Sequence, residues 1–179
     1  VAVVKLSDQT VEGLCRQFEH MYPVNYNCPG QLVVAGAAEE MEGFADAVKR
    51  AGGKALPLKV SGGFHSPFMA EAAKGLREIL QTVCWNDPAV PLYANKTAGL
   101  YTSADAAGLL AGQVENPVRW QKTIENMIHD GITAFVEVGV GKTLCNLVRK
   151  TDKSAAAYAV EDAESLAATL AAMKEDGIC

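Results

Sequence analysis

VAVVKLSDQTVEGLCRQFEHMYPVNYNCPGQLVVAGAAEEMEGFADAVKRAGGKALPLK, residues 1–59, alternates between strand and helix signals from its first residue. Val1–Leu6 is rich in β-branched residues. Ser7 or Asp8 can cap a helix over Thr10–His20, where Val11, Leu14, Cys15 and Phe18 share a face at helical spacing. Pro23–Asn27 and Gln31–Ala35 are short β-prone runs, and Cys28-Pro29-Gly30 between them has the residues of a hairpin connection. Ala37–Ala51 predicts a second helix with Met41, Phe44 and Val48 inward, stopped by Gly52-Gly53, and Ala55–Lys59 a fourth strand. The order β-α-β-β-α-β is that of a ferredoxin-like unit, which packs two helices on one face of a sheet. Residues 1–59 are therefore expected to form a ferredoxin-like subdomain.

Residues 60–179 keep the composition but change the organisation. Ser66-Pro67 supplies an N-cap and an N1 proline for a helix to about Thr82. Val90–Ala94 predicts a short strand, and Ser103–Leu110 and Val118–Asp130 predict helices. Ala134–Val138 is an apolar strand running into Gly139-Val140-Gly141-Lys142, followed by a helix from Thr143 to Lys150. Ala155–Val160 and Leu166–Met173 close the chain as strand and helix. Alternation of this kind predicts an α/β layer with a mainly parallel sheet. The glycines at 139 and 141 lack the GxxxxGK[ST] spacing of a phosphate loop and read as a strand-to-helix turn.

The chain has 179 residues, 49% of them hydrophobic, enough for a buried core. Its formal charge of −5, with no basic run longer than Lys49-Arg50 or Arg149-Lys150, argues against a nucleic-acid partner. Cys15, Cys28, Cys84, Cys145 and Cys179 form no CxxC pair, which fits reduced thiols. No apolar stretch approaches the roughly 18–20 residues that span a membrane, and the first residues lack a charged leader, so a cytoplasmic chain is expected. Because a strand begins at Val1 without an initiating Met, the chain is also expected to start inside a domain.

Three histidines can be weighed one by one. His20 and His129 fall near the predicted ends of helices, where a ring meets free carbonyls, and they read as structural or solvated. His65 follows Gly62-Gly63-Phe64 and directly precedes the Ser66-Pro67 helix start. A ring at the positive end of a helix is better suited to accept a proton than to carry a charge. Spacing alone leaves two readings of His65 open: a general base, or a loop residue filling a gap under the helix. Metal binding is not expected, because no second histidine or cysteine pair lies at ligand spacing.

Four segments in fixed order bear on the choice: Pro23-Val-Asn-Tyr-Asn-Cys-Pro-Gly-Gln-Leu-Val-Val-Ala-Gly36, Val60-Ser-Gly-Gly-Phe-His-Ser-Pro-Phe-Met69, Gln113-Val-Glu-Asn-Pro-Val-Arg-Trp120 and Glu137-Val-Gly-Val-Gly-Lys-Thr-Leu144. Together they resemble the malonyl-CoA:acyl-carrier-protein transacylases and the related acyltransferase domains of fatty acid and polyketide synthases. The resemblance implies an α/β-hydrolase-like large domain with a ferredoxin-like insertion, so that residues 1–59 are most of the insertion and 60–179 the carboxyl-terminal part of the large domain. It implies malonyl transfer from coenzyme A to the phosphopantetheine thiol of acyl carrier protein through an acyl-serine, with no cofactor beyond the thioester substrate. His65 matches the base that serves the serine, and Gln113 a glutamine whose carbonyl orients that base. Phe64 matches the bulky position that favours malonyl over its methylated relative, and Asn25 and Asn27 match paired asparagines near the entry of the pantetheine arm. Val140 departs from the family pattern, which usually has proline between the two glycines.

The G-x-S-x-G nucleophile elbow is absent around Ser7, Ser61, Ser66, Ser103, Ser154 and Ser165. The chain is therefore expected to be inactive alone and to need an N-terminal segment or second chain that carries the nucleophile. The alternatives are a non-catalytic module that binds carrier protein or coenzyme A, and a polyketide rather than a fatty acid acyltransferase.

Overall fold

The computed structural model describes residues 1–60 and 62–178; Ser61 and Cys179, both named above, lie outside the described residues. Two compact units divide the chain, Val1–Thr123 and Ile124–Cys179. The segment 60–123 thus packs in one unit with the β-α-β-β-α-β element that precedes it.

That element has the predicted order: β1 (Ala2–Val4), α1 (Asp8–Cys15), β2 (Met21–Cys28), β3 (Gln31–Gly36), α2 (Met41–Arg50) and β4 (Lys54–Leu56). The strands form one antiparallel sheet in the order β2-β3-β1-β4, the ferredoxin-like arrangement. Ser7 caps α1 by accepting the Thr10 amide at 3.2 Å. Val11 and Cys15 of α1 and Phe44 and Val48 of α2 meet Val3, Leu32 and Val34 of the sheet in the core. Each of these side chains is at most 3% exposed, and burial of this kind contributes about 1.5–3 kcal/mol for a large aliphatic or aromatic residue. At the β2–β3 turn Gly30 takes φ +75°, a conformation without steric cost only for glycine.

Three local expectations change. Helix α1 ends at Cys15 rather than at His20, so His20 stands just before β2; its amide and that of Glu19 donate to the Glu40 carboxylate instead. The strand predicted over Val90–Ala94 reduces to a single bridge between Tyr93 and Leu100. The helix predicted over Ser103–Leu110 begins as a 3-10 turn and continues as α4 (Ala106–Glu115). Before it comes α3 (Ala70–Leu80), led in by a 3-10 turn over Pro67–Met69, and after it α5 (Trp120–His129). Arg77 of α3 pairs with Glu115 of α4 at 3.2 Å.

In the second unit β5 (Ala134–Val138) and β6 (Ala156–Val160) pair in parallel, with Phe135 opposite Ala157. Helices α6 (Thr143–Thr151) and α7 (Ala163–Glu175) pack on them, and Cys145, Leu147 and Val148 of α6 are buried. The mixed α/β class and the parallel pairing are as the sequence predicts. Among the described residues no helix is long and apolar enough to cross a membrane.

Candidate active site

His65 occupies a left-handed backbone conformation, φ +63°. A residue with a Cβ adopts it at a cost of about 1–2 kcal/mol, so surrounding bonds must hold it there. Two such bonds come from the last turn of α4. The His65 amide donates to the Val114 carbonyl at 3.0 Å, and its ring Nδ1 lies 2.7 Å from the Gln113 carbonyl. The last four carbonyls of a helix have no partner within it, so the histidine satisfies two groups that the helix leaves open.

This contact decides the chemistry of the ring. A carbonyl oxygen can only accept, so the neutral ring carries its proton on Nδ1 and presents the lone pair on Nε2. Among the described residues nothing hydrogen-bonds Nε2. If Nε2 takes a proton, the charge that develops faces the negative end of α4. The Gln113 side chain points elsewhere: its Oε1 is 3.5 Å from Asn95 Nδ2.

The other side of the loop is fixed by Ser66, which is 1% exposed. Its hydroxyl donates to the Gly63 carbonyl and accepts the Phe68 amide at 3.4 Å. Gly63 has no room for a side chain, since a Cβ there would stand 2.7 Å from the Phe68 ring. Phe68 in turn stacks on His20 at 6.3 Å and meets Tyr22 edge-on at 5.6 Å, which ties the loop to the start of β2.

His65 and Phe64 line a largely apolar cleft of about 810 Å³ together with Asn25, Val33, Ala35 and Leu58. Phe64 is 49% exposed and forms part of the wall. The two asparagines part company. The pairing of β2 with β3 slips between Pro23 and Asn25 and again between Tyr26 and Cys28, which makes Asn27 the extra residue of a bulge. Asn25 lines the cleft and Asn27 is not among its lining residues, so the shared face expected for alternate residues is interrupted.

The segment after α4 joins these pieces. Asn116 closes the helix by donating from Nδ2 to the Gly112 carbonyl at 2.7 Å. Val118 then lies alongside β2 as a parallel bridge to Asn25, donating to the Val24 carbonyl at 2.8 Å and accepting the Tyr26 amide at 2.9 Å. One stretch of chain therefore holds the histidine at one end and the asparagine strand at the other. Val114 and Val118 act through main-chain atoms and carry no side-chain signal that sequence reading could use.

Other candidate chemistry is closed off. The chain supplies its own anions around the turn at 139–142: the Glu161 carboxylate accepts the Gly141 amide at 2.8 Å, and the Glu137 carboxylate accepts the Leu144 and Cys145 amides at the N-terminus of α6, at 3.1 and 2.8 Å. Burial alone would raise the Glu137 carboxyl, but these amides outweigh it and hold it below the usual carboxylate range. Burial, reinforced by the charge of Glu12, pushes the Cys15 thiol up to about 12, and burial with Glu137 also raises Cys145. Neither thiol is a ready nucleophile. No group of three metal-ligating side chains occurs among the described residues.

Comparison with known proteins identifies the family. Residues 1–177 match the acyl transferase domain family. The chain is 39% identical over 154 residues to the malonyl CoA-acyl carrier protein transacylase of Bacillus subtilis, covering 85% of this chain and 49% of that protein. It superposes on the crystal structure of the Clostridium perfringens transacylase with a TM-score of 0.94 and 31% identity, covering 99% of this chain and 57% of that one. A malonyl-transacylase in complex with a type II polyketide acyl-carrier protein gives a TM-score of 0.91 at 34% identity, covering 95% of this chain and 57% of that one. The chain spans about half the length of the relatives it matches. A match over nearly every residue, together with these likenesses, places the chain in the acyl transferase domain family.

Proposed function

We propose that this chain supplies the base side of the active site of a malonyl-CoA:acyl-carrier-protein transacylase of fatty acid synthesis, working in the cytoplasm. The observation that carries the reading is the Nδ1 contact of His65 with the Gln113 carbonyl beside the cleft, since it leaves Nε2 as a proton acceptor. A serine nucleophile from a segment outside these residues would sit against Nε2, because none of the serines here lies in the nucleophile elbow pattern.

As the serine oxygen attacks the malonyl thioester carbonyl, Nε2 takes its proton. The carbon–sulfur bond then breaks and coenzyme A leaves with that proton as a free thiol. In the second half the pantetheine thiol of the carrier gives its proton to Nε2 and attacks the ester, and the serine leaves with the proton. No electron is exchanged, and no cofactor beyond the coenzyme A thioester is required. Phe64 narrows the cleft beside the reacting acyl group, which favours malonyl over an α-methyl acyl group. Asn25, which lines the cleft, would hydrogen-bond an amide of the pantetheine arm, with Asn27 a second candidate for the same arm.

The test assembles this chain with the nucleophile-bearing segment and follows radiolabelled malonyl from coenzyme A to acyl carrier protein. His65→Ala should lower the rate by about a thousandfold or more. An assembled, folded protein whose rate is indifferent to His65 overturns the assignment, and one that binds carrier without transfer favours a non-catalytic binding module.

A further inference from the structure

The loop between α3 and α4 touches the base-holding segment at both of its ends, and Asn95 makes both contacts. Its Nδ2 faces Gln113 Oε1 at 3.5 Å, at the long end of hydrogen bonding, and its carbonyl accepts the Arg119 amide at 2.9 Å. Gln113 is the residue whose carbonyl holds His65, and Arg119 follows the Val118 bridge to the Asn25 strand. Asn95 thus spans from the histidine support to the strand that carries Asn25.

The loop that presents Asn95 is itself firmly built. Ala94 donates to the Gly99 carbonyl and accepts the Ala98 amide, both at 2.8 Å. Ala98 is held at φ +56° with no exposed surface, a strained conformation that persists only where the surroundings over-determine it. Lys96 lies across α4 so closely that a Cβ on Gly112 would meet its Nζ at 2.7 Å. A rigid platform therefore sits under the turn of α4 that ends in Gln113 and Val114.

We propose that Asn95 is a positioning residue for His65, acting through the side chain of Gln113. The glutamine would then have two separate tasks: its main-chain carbonyl sets the tautomer of the ring, and its side chain, gripped by Asn95, sets where that carbonyl stands. The role rests on His65 being the base. Because any residue at 113 retains a carbonyl, the proposal also explains why an amide side chain is useful there.

The experiment combines kinetics on the assembled transacylase with NMR of the ¹⁵N-histidine-labelled 179-residue chain. Asn95→Ala and Gln113→Ala should each lower kcat by about fivefold to tenfold with KM unchanged, the size expected from one lost hydrogen bond. The double variant should lose no more than either single one, because both remove the same link. The Nδ1–H signal of His65 should shift and broaden in all three. Asn95→Asp should restore both readouts, since the Gln113 amide can turn to donate to the carboxylate. Losses that multiply in the double variant, or an Nδ1–H signal unmoved by Asn95→Ala, overturn the proposal. Should Asn95→Ala fail to fold, Asn95→Asp decides alone: parent-like rate and Nδ1–H signal support the link, and loss of either rejects it. If His65→Ala leaves transfer intact while the Nδ1–H signal still follows Asn95, the catalytic reading falls and the positioning link stands.

Discussion

Replacing His65 by glycine and, separately, by alanine distinguishes what its side chain does from what its backbone costs. At φ +63° a Cβ crowds the neighbouring carbonyl, at about 1–2 kcal/mol. Glycine escapes that cost but loses about 0.5–1 kcal/mol more than alanine on folding, through its wider unfolded ensemble. Both variants lose the 2.7 Å contact with the Gln113 carbonyl, worth about 1 kcal/mol net. His65→Ala keeps the crowding and loses the contact, so it should be about 1 kcal/mol less stable than the parent. His65→Gly should be more stable than His65→Ala by roughly 0.5–1 kcal/mol and lie close to the parent. Both should be equally inactive in the assembled enzyme. Urea unfolding of the three proteins side by side, with malonyl transfer measured on the same samples, checks the ordering. An alanine variant as stable as the glycine variant would refute the claim that this position is strained.

Ser66→Ala should cost about 1–3 kcal/mol in urea unfolding, since it removes a helix cap and leaves the Gly63 carbonyl without its donor. Phe64→Ala should raise transfer of methylmalonyl relative to malonyl by roughly tenfold in a competition assay, because one methyl group is worth only about 1–3 kcal/mol of discrimination. Glu137→Gln keeps one acceptor for the two α6 amides and should cost about 1 kcal/mol near neutral pH. Since the folded carboxyl lies below the ordinary value, its contribution is full above that value and disappears as pH falls through the folded one. The acid limb of the stability–pH curve should therefore flatten in Glu137→Gln.

What was legible in the sequence was mostly local. Caps, turn residues and apolar spacing lie within a few residues of one another, so the β-α-β-β-α-β order and the Ser66 cap could be read directly. The paired bulges of β2 could not, because they answer to Val118 and β3 rather than to anything within the strand. Continuation of α4 to Glu115 was also hidden: Gly112 weakens the local helix signal, while the Arg77–Glu115 pair and the docked histidine favour the last turn. His65 itself stood out by its flanking glycines and helix start. Its support did not, since the atoms that hold it are carbonyls, which every residue carries.

The bridge of Val118 to β2 also has a consequence for biosynthesis. Residue 25 leaves the ribosome long before residue 118, and the contact between His65 and Gln113 already spans 48 positions. Such non-local contacts are costly to close and form late. For much of translation the nascent chain would therefore carry the ferredoxin-like sheet with the outer edge of β2 unpaired around Asn25, the kind of open edge through which a folding chain pairs with others. A ribosome stalled before residue 113 should leave the Tyr26 amide open to hydrogen exchange, and one stalled after α5 has emerged should protect it.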